Sequence, residues 1–196
     1  GLPLHSCDYP KGTASRFLWS GMIWVGGIVG NDTLVSVGGD GWNGGEELNP
    51  DIATLGEIKY RSVLSEGPAQ AGAVSHQDFI ATYWDTCKTG CPGLRNDVVD
   101  GRPHRPLGIR IDQATYAWSD SYVQDVVFFN LRITDVSNQT ISKGYIGVYA
   151  DVDVNLDIYP NGFYDDVTGF AHAVPGTREG CSFERDIPMA WAADND

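Results

Sequence analysis

Within the stretch Tyr145 to Phe170, polar and apolar residues alternate in strict register from Asp151 to Ile158. Asp151, Asp153, Asn155 and Asp157 stand two apart, with Val152, Val154, Leu156 and Ile158 following them in turn. Successive side chains of a strand point to opposite faces, so this pattern predicts a strand with one apolar side and one side crowded with oxygen ligands. The turn signal Pro160-Asn161-Gly162 then predicts a return that brings Asp165 and Asp166 back toward the first set.

Other stretches read the same way. Arg16 to Val37 predicts two or three β segments with a hairpin turn at Gly30-Asn31-Asp32, and Gly21, Gly26 and Gly27 mark bulges or close backbone approach. Leu107 to Ser119, the run VQDVVFFNLRITDVS and the run GYIGVYADVDV are rich in β-branched and aromatic residues and are separated by polar turns. Two short helices are the only departures expected. One falls in Asp51 to Leu64, on the spacing of Ile52, Leu55, Ile58 and Val63, and the other follows Ser75 and Asp78 as a cap before FIATYW. The fold class expected is all-β, mainly an antiparallel β-sandwich with long loops and at most one or two short helices.

Composition narrows the class further. The 196 residues, 42% hydrophobic, suffice for one core, and residues 1–196 read as a single β-sandwich domain. With 13 basic and 26 acidic residues the net charge is -13, which repels phosphate backbones and anionic lipid and argues against nucleic-acid binding. The longest apolar run, Met22 to Val29, is too short and glycine-rich to span a bilayer, so no membrane insertion is expected. The chain starts at Gly1 without a leader pattern, so either a leader has been removed or it is a fragment of something longer, and AWAADND, which ends as a turn that should continue, favours the fragment.

Four cysteines fit an oxidising compartment. Cys87 and Cys91 flank a turn-rich segment in which a local disulfide loop can close, which leaves Cys7 with Cys181, one of three pairings open to four cysteines. A four-cysteine zinc site is the rival. It needs a second close pair, and Cys7 and Cys181 are remote in sequence.

Hard oxygen ligands gathered as in Asp151, Asp153, Asn155, Asp157, Asp165 and Asp166 suit calcium, the cofactor expected here. The opening D-x-D-x-N-x-D is not an EF-hand, because Leu156 stands where that loop needs glycine and Gly162 where it needs a bidentate glutamate. The competing reading is a solvated acidic face.

Other chemistry is sparse. Gly39, Gly41 and Gly44 satisfy G-x-G-x-x-G, yet Glu46, Glu47 and Pro50 follow where a phosphate-binding helix should open, so the stretch reads as a loop. There is no G-x-S-x-G, H-E-x-x-H or P-loop. Of the scattered His5, His76, His104 and His172, His104 in GRPHRPLG reads as a structural turn residue, and His172 as a metal neighbour less suited to calcium than oxygen is. A carboxylate pair for glycoside hydrolysis drawn from Asp151, Asp153, Asp165 and Asp166 is a third reading, and no catalytic residue is assigned. Trp42, in a glycine-rich loop, is the candidate for stacking on a sugar ring, whereas Trp84 sits among core-like residues. Asn31-Asp32-Thr33 and Asn138-Gln139-Thr140 are glycosylation sequons in predicted turns.

Taken together, FLWSGMIWVGGIVGNDTLVS, GRPHRPLGIRIDQATYAWS, VVFFNLRITDVSNQTISKGYIGVYADVDV, DDVTGF and AWAADND resemble the N-terminal region of large exported proteins of Bacteroidota-like bacteria. Many of those carry a C-terminal type IX secretion sorting domain. The resemblance covers most of the chain and implies an extracellular or cell-surface location. It supplies no catalytic residues. The function expected is that of a calcium-stabilised structural or adhesive domain of a surface protein or assembly, with other surface proteins, copies of itself or glycans as partners. The alternative is a carbohydrate-binding module or accessory domain of a secreted polysaccharide-degrading enzyme.

Overall fold

The structure, a computed structural model, describes residues 17–39, 45–51, 56–98, 100–154, 164–174, 177–178, 181–182 and 187–194. The chain divides into two compact units, one formed by 22–148 and the other by 1–21 with 149–196. Both are built of antiparallel β-strands, as the alternating runs predict.

In the larger unit β1 (Ser20–Val29) and β2 (Asp32–Val37) form a hairpin in register Val29↔Asp32 to Trp24↔Val37. Gly30, at φ 62°, opens the two-residue turn and adopts the left-handed backbone that glycine accepts without strain. β1 is flanked on its other side by β8 (Ile141–Asp151). The second sheet is assembled around β5 (Gln77–Asp85), which pairs with the short β3 (Asn49–Pro50) and β4 (Lys59–Arg61) on one side and with β6 (Ile109–Ala117) on the other. β7 (Val127–Asp135) completes it, in register Ile109↔Asp135 through Ala117↔Val127.

The two sheets form a sandwich. Alternate residues of β1, Val25 and Val29, are buried against Leu107, Ile109 and Ile111, with Ile23, Leu34, Tyr83, Leu131, Ile133 and Ile141 around them. Each such aliphatic side chain removed from water contributes about 1.5–3 kcal/mol. Gly27 lies between Val25 and Val29 on the same face. A Cβ there would come within 2.6 Å of Ile141 Cγ2, 3.2 Å of the Lys143 carbonyl and 3.3 Å of Leu107 Cδ2, so the expected close backbone approach is present at this glycine. At Gly26 and Gly21 an added Cβ would meet only ordinary contacts.

The helix expected over FIATYW is corrected, and so is the later part of the one expected in 51–64, whose Ile52 and Leu55 lie outside the described residues. There Lys59–Arg61 is a strand paired with β5 in register Arg61↔Asp78, and Ile58 and Val63 are exposed rather than gathered on a buried helical stripe. FIATYW belongs to β5. Its aromatic and β-branched residues pack on a pleated sheet better than on a helix. Asp78 still acts as a cap, accepting hydrogen bonds from the Val74 and Ser75 amides at 2.7 and 2.8 Å, but the turn it closes leads into a strand. Among the described residues the helical content is the short 3₁₀ turn Gly67–Ala69 and a single 3₁₀ position at Tyr164.

In the smaller unit β9 (Val167–Val174) pairs with β12 (Ile187–Ala193), and β10 (Thr177–Arg178) with β11 (Cys181–Ser182). The register of β9 and β12 shifts between Ile187 and Met189.

Candidate functional site

The acidic segment begins at the end of β8 in the smaller unit. The strand stops at Asp151, so the two-residue alternation does not extend through Asp153 as a strand face. Asp153 follows in irregular backbone, and Val154 lies buried in a turn. Asp166 does come back to the segment, its Oδ2 accepting a hydrogen bond from the Val154 amide at 2.9 Å, while the expected turn at 160–162 lies outside the described residues. Asp151, Asp153 and Asp166 thereby become neighbours, while Asp165 is exposed. Asn155 and Asp157 lie outside the described residues, as do Trp42, Cys7 and His5. Cys181 is in β11, and the expected Cys7–Cys181 pairing lies outside the described residues.

Two features distinguish this cluster from a solvated acidic face. Asp166 Oδ1 is removed from solvent and has no hydrogen-bond partner. Burial, and then the negative charges of Asp151 and Asp166, push the Asp153 pKa up. A buried, unpaired carboxylate oxygen is costly, and a cation is one way to satisfy it. Among the described residues no three carboxylate, imidazole or thiol groups form a ready-made metal cage.

Elsewhere the chemistry resolves into structural roles. Cys87 and Cys91 are joined by a disulfide, as the local loop predicts. His172 lies on β9 with its ring edge against Phe170, and His76 accepts the Ser119 amide at Nδ1 at 2.9 Å.

A buried cluster around His104, in the larger unit, was not legible from local motifs. Its Nδ1 lies 2.8 Å from Glu47 Oε1 and its Nε2 2.7 Å from Asp85 Oδ1, with the imidazole side chain only 2% exposed. Asp85 is fully buried. Its Oδ2 accepts from the Ser36 hydroxyl across the sandwich and from the Leu107 amide at 2.6 Å. Glu47 Oε2 accepts the Val37 amide at 2.9 Å. Burial alone would lower the His104 pKa, but hydrogen bonds to Asp85 and Glu47, together with their charges, raise it to about 9. At neutral pH the ring is an imidazolium donating from both nitrogens. Ser36 donates to the aspartate rather than to the imidazole, so the group is not a nucleophile-base relay. It ties β2, β5 and the loop before β6 together.

No protein-family model, curated protein or solved structure matches this chain.

Proposed function

We propose that this chain is an extracellular, calcium-stabilised β domain serving a structural or adhesive role in a cell-surface protein or assembly. The observation that carries the reading is the buried, partnerless Oδ1 of Asp166, set beside Asp151 and Asp153 with the Asp153 carboxyl biased toward its protonated form. An oxygen-seeking cation would give that atom a partner and remove the repulsion among the three carboxylates. Calcium accepts six to eight oxygens in flexible geometry, and the remainder would come from backbone carbonyls and water. The Cys87–Cys91 disulfide supports an oxidising, extracellular setting.

The test is calorimetric titration of calcium into chelator-treated protein, with magnesium as the control. The reading predicts calcium binding that weakens as pH falls through the raised Asp153 pKa, and its loss in Asp166→Asn. Absence of binding, or binding unaffected by Asp166→Asn, would contradict it.

A further inference from the structure

The face of the second sheet turned away from the sandwich core is enriched in cations within an acidic protein. Register fixes its membership. Asp78, Ile80, Thr82 and Trp84 of β5 alternate with the core-facing Tyr83 and Asp85, and their partners across the sheet share their face. Lys59 pairs with Ile80 and Arg61 with Asp78 on β4, Arg110 pairs with Trp84 on β6, and Arg132 lies beyond Asp112 on β7. These four cations are set against Asp78, Asp112 and, at the margin, Asp51, in a chain whose totals are 13 basic and 26 acidic residues. Asp78 is fully buried and engaged by Ser75 and the Val74 amide.

The middle of this face is held in place. Trp84 Nε1 donates to Asp51 Oδ1 at 3.0 Å, and the Arg110 guanidinium stacks 5.5 Å from the Trp84 ring centroid. Arg110 also grips Asp112 Oδ2 through Nε at 3.1 Å and Nη2 at 2.5 Å, and Thr82 donates to Asp112 Oδ1 at 2.9 Å. Bound through that edge, the guanidinium keeps Nη1 for another acceptor at little further entropic cost. Arg132, exposed on the neighbouring strand, and Lys59, exposed on β4, lie to either side.

We infer that this sheet face binds an anionic polysaccharide, with Arg110 and Arg132 pairing with uronate carboxylates and the flat Trp84–Arg110 stack supporting a sugar ring. An open sheet face suits an extended chain, paired arginines suit carboxylates, and a cation-enriched face on an acidic protein selects a polyanion that the remaining surface repels. The assignment rests on observations separate from the acidic cluster and stands whether or not that cluster holds calcium.

The experiment is calorimetric titration of the whole chain with oligogalacturonate at fixed calcium, with a neutral cello-oligosaccharide as control. Arg132→Glu and Lys59→Glu, both at exposed positions, serve as variants whose fold is checked by their melting curves. The inference expects oligogalacturonate binding that weakens with salt, no binding of the neutral sugar, and a loss of about tenfold or more in a folded variant, as for a lost charge-assisted hydrogen bond. Equal binding of the neutral sugar, no binding at all, or binding unchanged in both variants would overturn it, the last pointing to calcium bridging. Salt-sensitive dimers in sedimentation that Arg132→Glu dissolves, without oligogalacturonate binding, would overturn it in favour of docking on an acidic second copy.

Discussion

Replacing His104 by alanine would leave Asp85 fully buried without its cation, and a buried charge stripped of its partner costs about 3–5 kcal/mol. The wild-type residue also gives stability a pH dependence. Its pKa is higher in the fold, about 9, than the ordinary 6.5, so its contribution is complete below about pH 6.5 and disappears as pH rises through 9. Urea unfolding from pH 6 to 10 should show a decline of about 3 kcal/mol, absent in His104→Ala. A flat profile would mean that the imidazolium is not held as described. The location of His104 between two prolines fits the structural role expected of it, but its partners lie at positions 47 and 85, with Ser36 bonded in turn to Asp85. No local spacing announces a cluster assembled from four segments. Trp84 shows the complementary limit. Its apolar neighbours suggest a core residue, yet strand alternation turns it away from Tyr83 and onto the outer face.

At the level of elements, legibility follows the strength of the alternation. β6, β7 and β8 coincide with the β-branched and aromatic runs, and the glycine-led turn places the first hairpin. The helical expectations failed for two reasons: at Ser75 and Asp78, helix caps and strand-entry turns use the same side chains, and at 59–61 pairing with β5 outweighs a weak apolar stripe. The acidic alternation breaks off after Asp151 because like charges gain little from a shared strand face, whereas the turn lets Asp166 engage the Val154 amide. Gly27 is the element-scale test. Gly27→Ala would drive a methyl into Ile141 and the Lys143 carbonyl at the seam of β1, and overpacking of this kind costs about 1–3 kcal/mol. The same substitution at Gly144, where an added Cβ meets nothing, should cost far less, and comparison of their denaturation midpoints checks this.

For the molecule as a whole, the all-β class follows from the spacing of apolar runs, and the surplus of 13 acidic residues frames both proposals. That charge resists compaction unless it is neutralised locally, and the Asp151, Asp153 and Asp166 neighbourhood is where the described residues show the strain. Because Asp153 is raised in the fold, the calcium-free protein gains stability below the ordinary aspartate pKa and loses it as pH rises through the raised value. Calcium should reverse that dependence by holding the carboxyl ionised.

The most direct test is thermal unfolding of the whole chain at pH 7.5 with saturating calcium and with chelator, alongside Asp166→Asn. Calcium at about 100 times its dissociation constant stabilises by about 2.7 kcal/mol. A chain of this length should then lose roughly 5–10 °C in Tm on chelation, and Asp166→Asn should remove most of that difference. Identical melting curves with calcium and chelator would contradict the account.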